Sequence, residues 1–261
     1  MVAFCEMLLV VNGQYVFTDK SALVTAVAAW IADETSATST YGLINTWDVS
    51  GVTDMSELFK DKTTFNGDIS GWDVSSVTNM EMMFNYAAAF NSDISGWDVS
   101  SVITLKRTFA YATAFNSDIS GWDVSSVTDM SYLFALCTAF NRDIGGWNVS
   151  SVTTTFDMFY SAAAFNQDIS GWDVSSVTAM HSMFNGATAF NSDISGWDVS
   201  SVTTMRYMFK SAAAFNSDIN GWDVSSVTMM IEMFYQASAF SQDLCWDVAG
   251  KAVTDIVVVH L

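Results

Sequence analysis

The sequence repeats itself every 25 residues, and this period constrains the possible fold more than any other feature. Tryptophan recurs at this step from Trp47 to Trp222, and two phenylalanine columns that begin at Phe59 and Phe65 keep the same step. Self-similarity of this length is typical of stacked supersecondary units that bury their apolar faces against each other. We therefore predict one elongated domain and not two globular ones.

Within one repeat, residues 65–89, the sequence predicts a short strand followed by a short helix. The strand is expected in the segment DISGWDV, residues 68–74. Val77, Met80, Met83 and Phe84 are spaced by three and four residues, as on one face of a helix. One short parallel strand and one short helix per 25-residue repeat is the plan of leucine-rich repeats. The predicted fold is an α/β repeat, a right-handed leucine-rich-repeat-like solenoid.

The period also sets the expected domain boundaries. Residues 1–40 are predicted to be an N-terminal capping segment with an amphipathic helix at about 18–33, whose apolar face carries Leu23, Val27 and Trp30. Residues 41–248 hold the tandem repeats, and residues 249–261 form a C-terminal tail or cap. The start, MVAFCEMLLVV, has an apolar run but no basic flank, so we interpret it as part of the cap and not as a signal peptide.

The aromatic columns have two interpretations. Large aromatic side chains dominate burial, which favours a core in which like residues stack on like. The alternative for the tryptophans is an exposed strip that stacks on sugar rings. The asparagine column that begins at Asn66 is expected to satisfy backbone groups at the turns between repeats.

Two aspartate columns put like charges into neighbouring repeats. One runs from Asp48 to Asp247 with Asn148 in one place, and the other runs from Asp68 to Asp243. We expect backbone amides to bind these carboxylates. The alternative is a calcium ladder, although Ile and Trp lie among its ligands. Its candidate ligands are Asp68, Asp93, Asp118, Asp143, Asp168, Asp193 and Asp218.

Composition and motifs exclude several functions. A formal net charge of −19 argues against nucleic acid as a partner and against anionic membrane surfaces, and no apolar run is long enough for membrane insertion. The sequence predicts no cofactor, no catalytic residues and no enzyme activity, because neither His181 nor His260 has a recurring partner. The cysteines define no disulfide or metal spacing, and Cys137 and Cys245 are expected to be buried.

The motif FNxDISGWDVSSVTxM…MF runs from Phe65 to Asp247 and follows the lead-in YG-x-I-x-x-W-D, from Tyr41 to Asp48. These segments resemble the BspA-like leucine-rich-repeat surface proteins, which carry the mycoplasma-lipoprotein-type repeat. The resemblance covers roughly residues 17–248. It implies a solenoid and a cell-surface or secreted role in adhesion or protein interaction, and it implies no catalytic residues.

Two function classes follow. The first is a non-catalytic surface protein that mediates adhesion by binding an unknown protein or glycan. The second is a purely structural spacer, either by itself or as a fragment of a larger surface protein. The binding surface is unknown from the sequence, and the residues that vary in the predicted helical half indicate either a specific surface or sequence drift: Glu57, Glu81, Lys106, Arg107, Tyr132, Asp157, His181, Arg206, Tyr207 and Glu232.

Overall fold

The computed structural model describes residues 10–11 and 14–252. Cys5, His260, the first nine residues and most of the predicted C-terminal tail lie outside this part of the chain. The predictions made for them therefore stay predictions.

The N-terminal part consists of a hairpin and two helices. Strands β1 (Val10–Val11) and β2 (Gln14–Tyr15) pair antiparallel, and helices α1 (Lys20–Ala32) and α2 (Glu34–Tyr41) follow. Asp19 accepts a hydrogen bond from the Ala22 amide at 2.9 Å, which caps the first turn of α1. Helix α1 lies within the predicted range 18–33, and a short 3-10 helix at Ile44–Thr46 leads into the repeats.

The repeats stack on each other in sequence order. Isolated parallel bridges join Asp54 to Asn79 and Asn79 to Thr104, and the same pairing continues at a 25-residue step to Met229. These bridges fall on the variable residue of SVTxM, whereas the described DISGWDV segments form turns and no strand. The strand prediction therefore put the parallel pairing in the wrong half of the repeat.

The short helix predicted in each repeat is also wrong. In residues 80–86, the amides of Met80, Met82, Phe84 and Tyr86 donate to carbonyls of the next repeat at 2.9–3.3 Å. Only the intervening amides bond within the repeat, as from Met83 to the Met80 carbonyl at 3.1 Å. A helix would direct every amide to the residue four before it, so consecutive turns replace the helix. The apolar spacing still has its predicted effect, because these side chains face the core.

The core consists of stacked columns of identical residues. The tryptophans from Trp47 to Trp222 are 2–4% exposed, and the two phenylalanine columns are at most 2% exposed. Rings in neighbouring repeats lie nearly parallel, as for Phe84 and Phe109, whose centroids are 5.5 Å apart. Burial excludes the exposed sugar-stacking strip considered for these tryptophans.

Polar groups link the repeats as well. Each indole N–H from Trp72 to Trp222 donates to an isoleucine carbonyl 28 residues earlier, at 2.8–3.2 Å. Each asparagine from Asn66 to Asn216 accepts a bond from the amide 25 residues later, at 2.7–3.0 Å. This confirms the predicted role of the asparagine column.

The cysteines differ in their surroundings. Cys137 is buried, as predicted, and its thiol donates to the Phe109 carbonyl. Cys245 is exposed, so the prediction of its burial was wrong. It lies where the final repeat loses one residue and departs from the pattern of the others.

Candidate binding surface

Sequence variation is marked at four positions that lie close together in the repeat, which we call the variable strip; the bridge position that begins at Asp54 and the position that begins at Gly67 also vary. The four positions of the strip are residues 56, 57, 60 and 61 of the first repeat and their equivalents at each 25-residue step. They alternate with buried residues such as Met55, Leu58 and Phe59. The frame therefore fixes the buried positions and leaves the strip free to vary.

The backbone explains how the strip positions of successive repeats are held in register. Its second and fourth positions have positive φ, for example 58° at Met82 and 60° at Tyr86. This left-handed conformation is uncommon for residues other than glycine. At both residues the amide donates to the next repeat, and the neighbouring amides bond within the turn. Amides that bond alternately to the next repeat and within the turn hold each turn directly over the equivalent turn of the next repeat.

Stacking of the turns brings side chains of successive repeats into contact. The rings of Tyr86 and Tyr111 stack with centroids 4.1 Å apart, and Phe156 stacks on His181 at 4.6 Å. The Arg107 guanidinium lies 4.4 Å from the centre of the Tyr132 ring. Such cation–π pairs keep a cation and an aromatic face together at the surface.

A second cluster lies three to four repeats after the pair of Arg107 and Tyr132. The Arg206 guanidinium lies 4.3 Å from the Tyr207 ring centre, and Lys210 Nζ lies 4.8 Å from the same ring and 4.9 Å from that of Tyr235. Tyr235 is 45% exposed. Glu232 pairs with Lys210 and holds its ammonium group between the two rings.

Two titratable groups of the strip have unusual surroundings. Burial raises the pKa of Asp157 to about 6, although the hydroxyls of Tyr132 and Ser182 and the charge of Arg107 act in the opposite direction. Burial, together with the charge of Arg206, lowers the pKa of His181. At neutral pH the His181 ring is therefore uncharged, which suits its stacking on Phe156.

The variable strip differs in charge from the rest of the molecule. It carries five of the nine cationic side chains, and it carries five acidic ones, although the chain as a whole has a net charge of −19. The five cations are Lys60, Lys106, Arg107, Arg206 and Lys210, and the five acids are Glu57, Asp61, Glu81, Asp157 and Glu232. The strip is thus close to neutral within a strongly acidic protein.

The aspartate columns are bound by backbone amides, as expected. Asp68, Asp93 and Asp118 each accept a bond from the amide two residues later, at 2.9–3.0 Å, and Asp143, Asp168, Asp193 and Asp218 do the same. Bonds from the serine at that position lower the pKa of Asp93 and Asp118. Among residues 14–252, no three His, Cys, Asp or Glu side chains lie close enough together to hold a metal ion.

All ten variable residues named from the sequence lie in the variable strip. Sequence reasoning missed the third and fourth positions of each repeat, which include Tyr86, Tyr111, Lys210 and Tyr235. These positions were missed because they fall at the C-terminal end of the helix that was predicted there. The signal that could have found them is simply the absence of a recurring residue in these two columns.

In the part of the chain that the structure describes, no helix combines the length and apolar character needed to cross a membrane.

Comparison with curated proteins and with solved structures returned no match. The family model described as "Mycoplasma protein of unknown function, DUF285" matches three overlapping segments, residues 32–122, 96–195 and 166–258. Together these segments span the repeats and most of the chain, so the chain belongs to this family of repeat-containing proteins.

Proposed function

We propose that the chain is a non-catalytic binding module whose variable strip recognises a protein or glycan partner. One observation carries this proposal: the repeat places much of its variation at four nearby positions that stack from repeat to repeat, and most of their side chains are at least partly exposed. Buried positions that do not vary have a packing role. Surface positions that vary beside a fixed frame are those at which a repeat protein acquires its specificity.

The chemistry of the strip supports recognition by contact. Tyrosine and arginine are enriched at the centres of binding interfaces, since each combines a large contact area with polar groups. Here they occur as preformed pairs, Arg107 with Tyr132 and Arg206 with Tyr207. Preformed pairs lose little side-chain freedom when a partner binds. A role in adhesion at a cell surface follows from the resemblance described above.

The architecture suits a long binding surface. We propose that the repeats wind as one right-handed solenoid, supported by parallel bridges at a constant 25-residue step. A solenoid places equivalent positions of each repeat in a row along one face. An extended partner can then contact several repeats at once.

A non-catalytic role is supported by the surroundings of the reactive groups. His181 stacks on Phe156 and is half-buried, and burial strongly raises the pKa of the Cys137 thiol. A thiol in that environment is a poor nucleophile because the thiolate is the reactive form.

The test is a screen of the purified chain against glycan and protein arrays. The proposal expects a small set of reproducible ligands, with binding that survives moderate salt because the strip is close to neutral. The absence of any ligand on both arrays would contradict the proposal and favour a structural spacer.

A further inference from the structure

A second site lies at the N-terminal end of the repeats and shares no residue with the variable strip. A cavity of about 460 Å³ opens there between helices α1 and α2, the 3-10 helix and the first repeat. Trp30 and Leu43 supply apolar surface, and Glu34, Asn45, Asn66 and Asp68 supply polar groups. Pockets of this size with a few convergent polar groups are typical of small-molecule sites.

Polar groups in this cavity lack the partners that their equivalents have elsewhere. Asn45 Oδ1 is buried and accepts no hydrogen bond from the described residues. Asn220, seven repeats later in the same column, uses its Oδ1 to accept a bond from the Cys245 amide at 2.8 Å. A buried acceptor without a donor is costly and calls for an explanation, and a bound ligand would provide one.

The asparagine ladder begins at the same place. Each later amide of that column, from Asn91 onwards, donates to the asparagine side chain of the preceding repeat. Position 41 holds tyrosine, so no such side chain precedes Asn66, and its amide makes no hydrogen bond within residues 14–252. The cavity therefore offers an unused donor as well as an unused acceptor.

An aromatic ring lies beside these groups. Trp30 packs edge-on against Phe65, with ring centroids 5.6 Å apart, and remains only partly buried. Gly67 makes room for the indole, because a Cβ atom there would lie 2.9 Å from the ring. The equivalent residue of the other repeats is serine, arginine or glutamine. The first repeat thus differs from the others at Gly67, the position against which the Trp30 ring packs.

We infer that this cavity binds one neutral pyranose sugar residue. An indole ring offers an apolar surface to the C–H face of a sugar, and paired donors and acceptors fit its hydroxyl groups, each of which both donates and accepts. Asn45 Nδ2 already donates to Asp68 Oδ2 at 3.1 Å, which fixes the orientation of the amide beside the cavity. The carboxylates of Glu34 and Asp68 disfavour acidic sugars.

Calorimetric titration with methyl glucoside, methyl galactoside and N-acetylglucosamine tests the inference, with N-acetylneuraminic acid and choline as comparison probes. We expect at least one neutral sugar to bind with a dissociation constant on the order of 1 mM, as is typical of a small ligand held by few polar groups. In NMR spectra of labelled protein, one indole resonance out of ten, that of Trp30, should shift.

Two variants distinguish sugar binding in this cavity from binding elsewhere on the molecule. Asn45→Leu removes the unused acceptor, so it should weaken sugar binding by at least about 10-fold while the melting temperature stays equal or rises. Asn220→Leu, in the same column, should leave sugar binding unchanged. The inference is overturned if no neutral sugar binds at about 50 mM, if choline binds in their place, or if Asn45→Leu binds as well as the native chain.

Discussion

The indole N–H of Trp147 donates to the carbonyl of Ile119 at 3.1 Å and so joins two consecutive repeats through the core. Trp147 is 4% exposed. Trp147→Ala should lower the free energy of unfolding by about 3–5 kcal/mol, because it opens a cavity and leaves the carbonyl without a donor. Chemical denaturation measures this change.

Trp147→Phe is the control that separates packing from hydrogen bonding. It keeps an aromatic ring in the core but removes the N–H donor. It should cost about 1–3 kcal/mol. A loss below about 1 kcal/mol for Trp147→Ala would show that the tryptophan column does not hold the repeats together.

Ser161 distinguishes turns from a helix within the repeat. Its φ is 53°, a left-handed conformation, and its amide donates to the Asn185 carbonyl at 2.7 Å. Ser161→Gly should leave the free energy of unfolding unchanged or raise it by up to about 1 kcal/mol, because glycine adopts this conformation without a steric penalty. The next repeat already has Gly186 at this position, with φ of 74°.

Ser161→Ala keeps the Cβ atom and should match the native chain. In a helix, the glycine variant would instead be less stable by about 0.5–1 kcal/mol than the alanine variant. A glycine variant less stable than the alanine variant, in thermal or chemical unfolding, would contradict the turn structure.

Asp157→Asn should alter the pH dependence of stability. The pKa of Asp157 is about 6 in the folded chain, above the ordinary value of 3.8. Its contribution to stability is therefore present when the group is protonated at low pH, and it is lost as the pH rises towards and through the folded pKa. The variant should melt higher than the native chain at about pH 7.5 and equal to it at about pH 3.5.

Asp123→Asn is a control that should change the stability at neutral pH in the opposite direction. Bonds from Ser125 lower the pKa of Asp123, so its contribution is present above the ordinary pKa and is lost as the pH falls. This variant should be less stable than the native chain at neutral pH. Equal pH profiles for both variants would contradict the assigned surroundings of Asp157.

The aspartate columns predict little response to calcium. An amide bond occupies one carboxylate oxygen at these aspartates, in several repeats together with a serine hydroxyl bond, and Asn148 accepts both kinds of bond from Ser150 at 3.2 and 2.7 Å. The melting temperature at matched ionic strength should agree in EDTA and in millimolar CaCl₂ to within about two degrees, because an ion that does not bind the folded state cannot stabilise it. Asn148→Asp should not increase the difference, whereas a larger response in that variant would favour a metal ladder.

Sequence periodicity predicted the stacked repeats, the buried aromatic columns and the asparagine bonds, since a side chain repeated in every unit meets its own copies. It failed for the local backbone. The spacing of Val77, Met80, Met83 and Phe84 suits one face of a helix and equally suits consecutive turns, because both return a side chain to the core every three or four residues. What decides between them is where the amides of Met82 and Tyr86 bond, and those partners lie in the next repeat.

The same limit applies to the candidate surface. Variable residues such as Arg107 and Tyr132 could be named from the sequence, but their pairing depends on how the turns stack. The cavity beside Trp30 could not be predicted from the sequence, because nothing in the columns of Asn45 and Gly67 shows that helix α1 brings Trp30 beside them.

The most direct measurement is the affinity of one array ligand for the native chain and for two matched variants. One variant combines Arg107→Ala, Tyr132→Ala, Arg206→Ala and Tyr207→Ala in the variable strip. The other combines Ser76→Ala, Ser101→Ala, Ser126→Ala and Ser151→Ala, which lie exposed in a column that is serine in every later repeat from Ser76 to Ser226. If the strip is the binding surface, the first variant should lose affinity on the order of 100-fold, as for the loss of interface hot spots, while the second binds as the native chain does. Equal affinity in the strip variant and the native chain would contradict it.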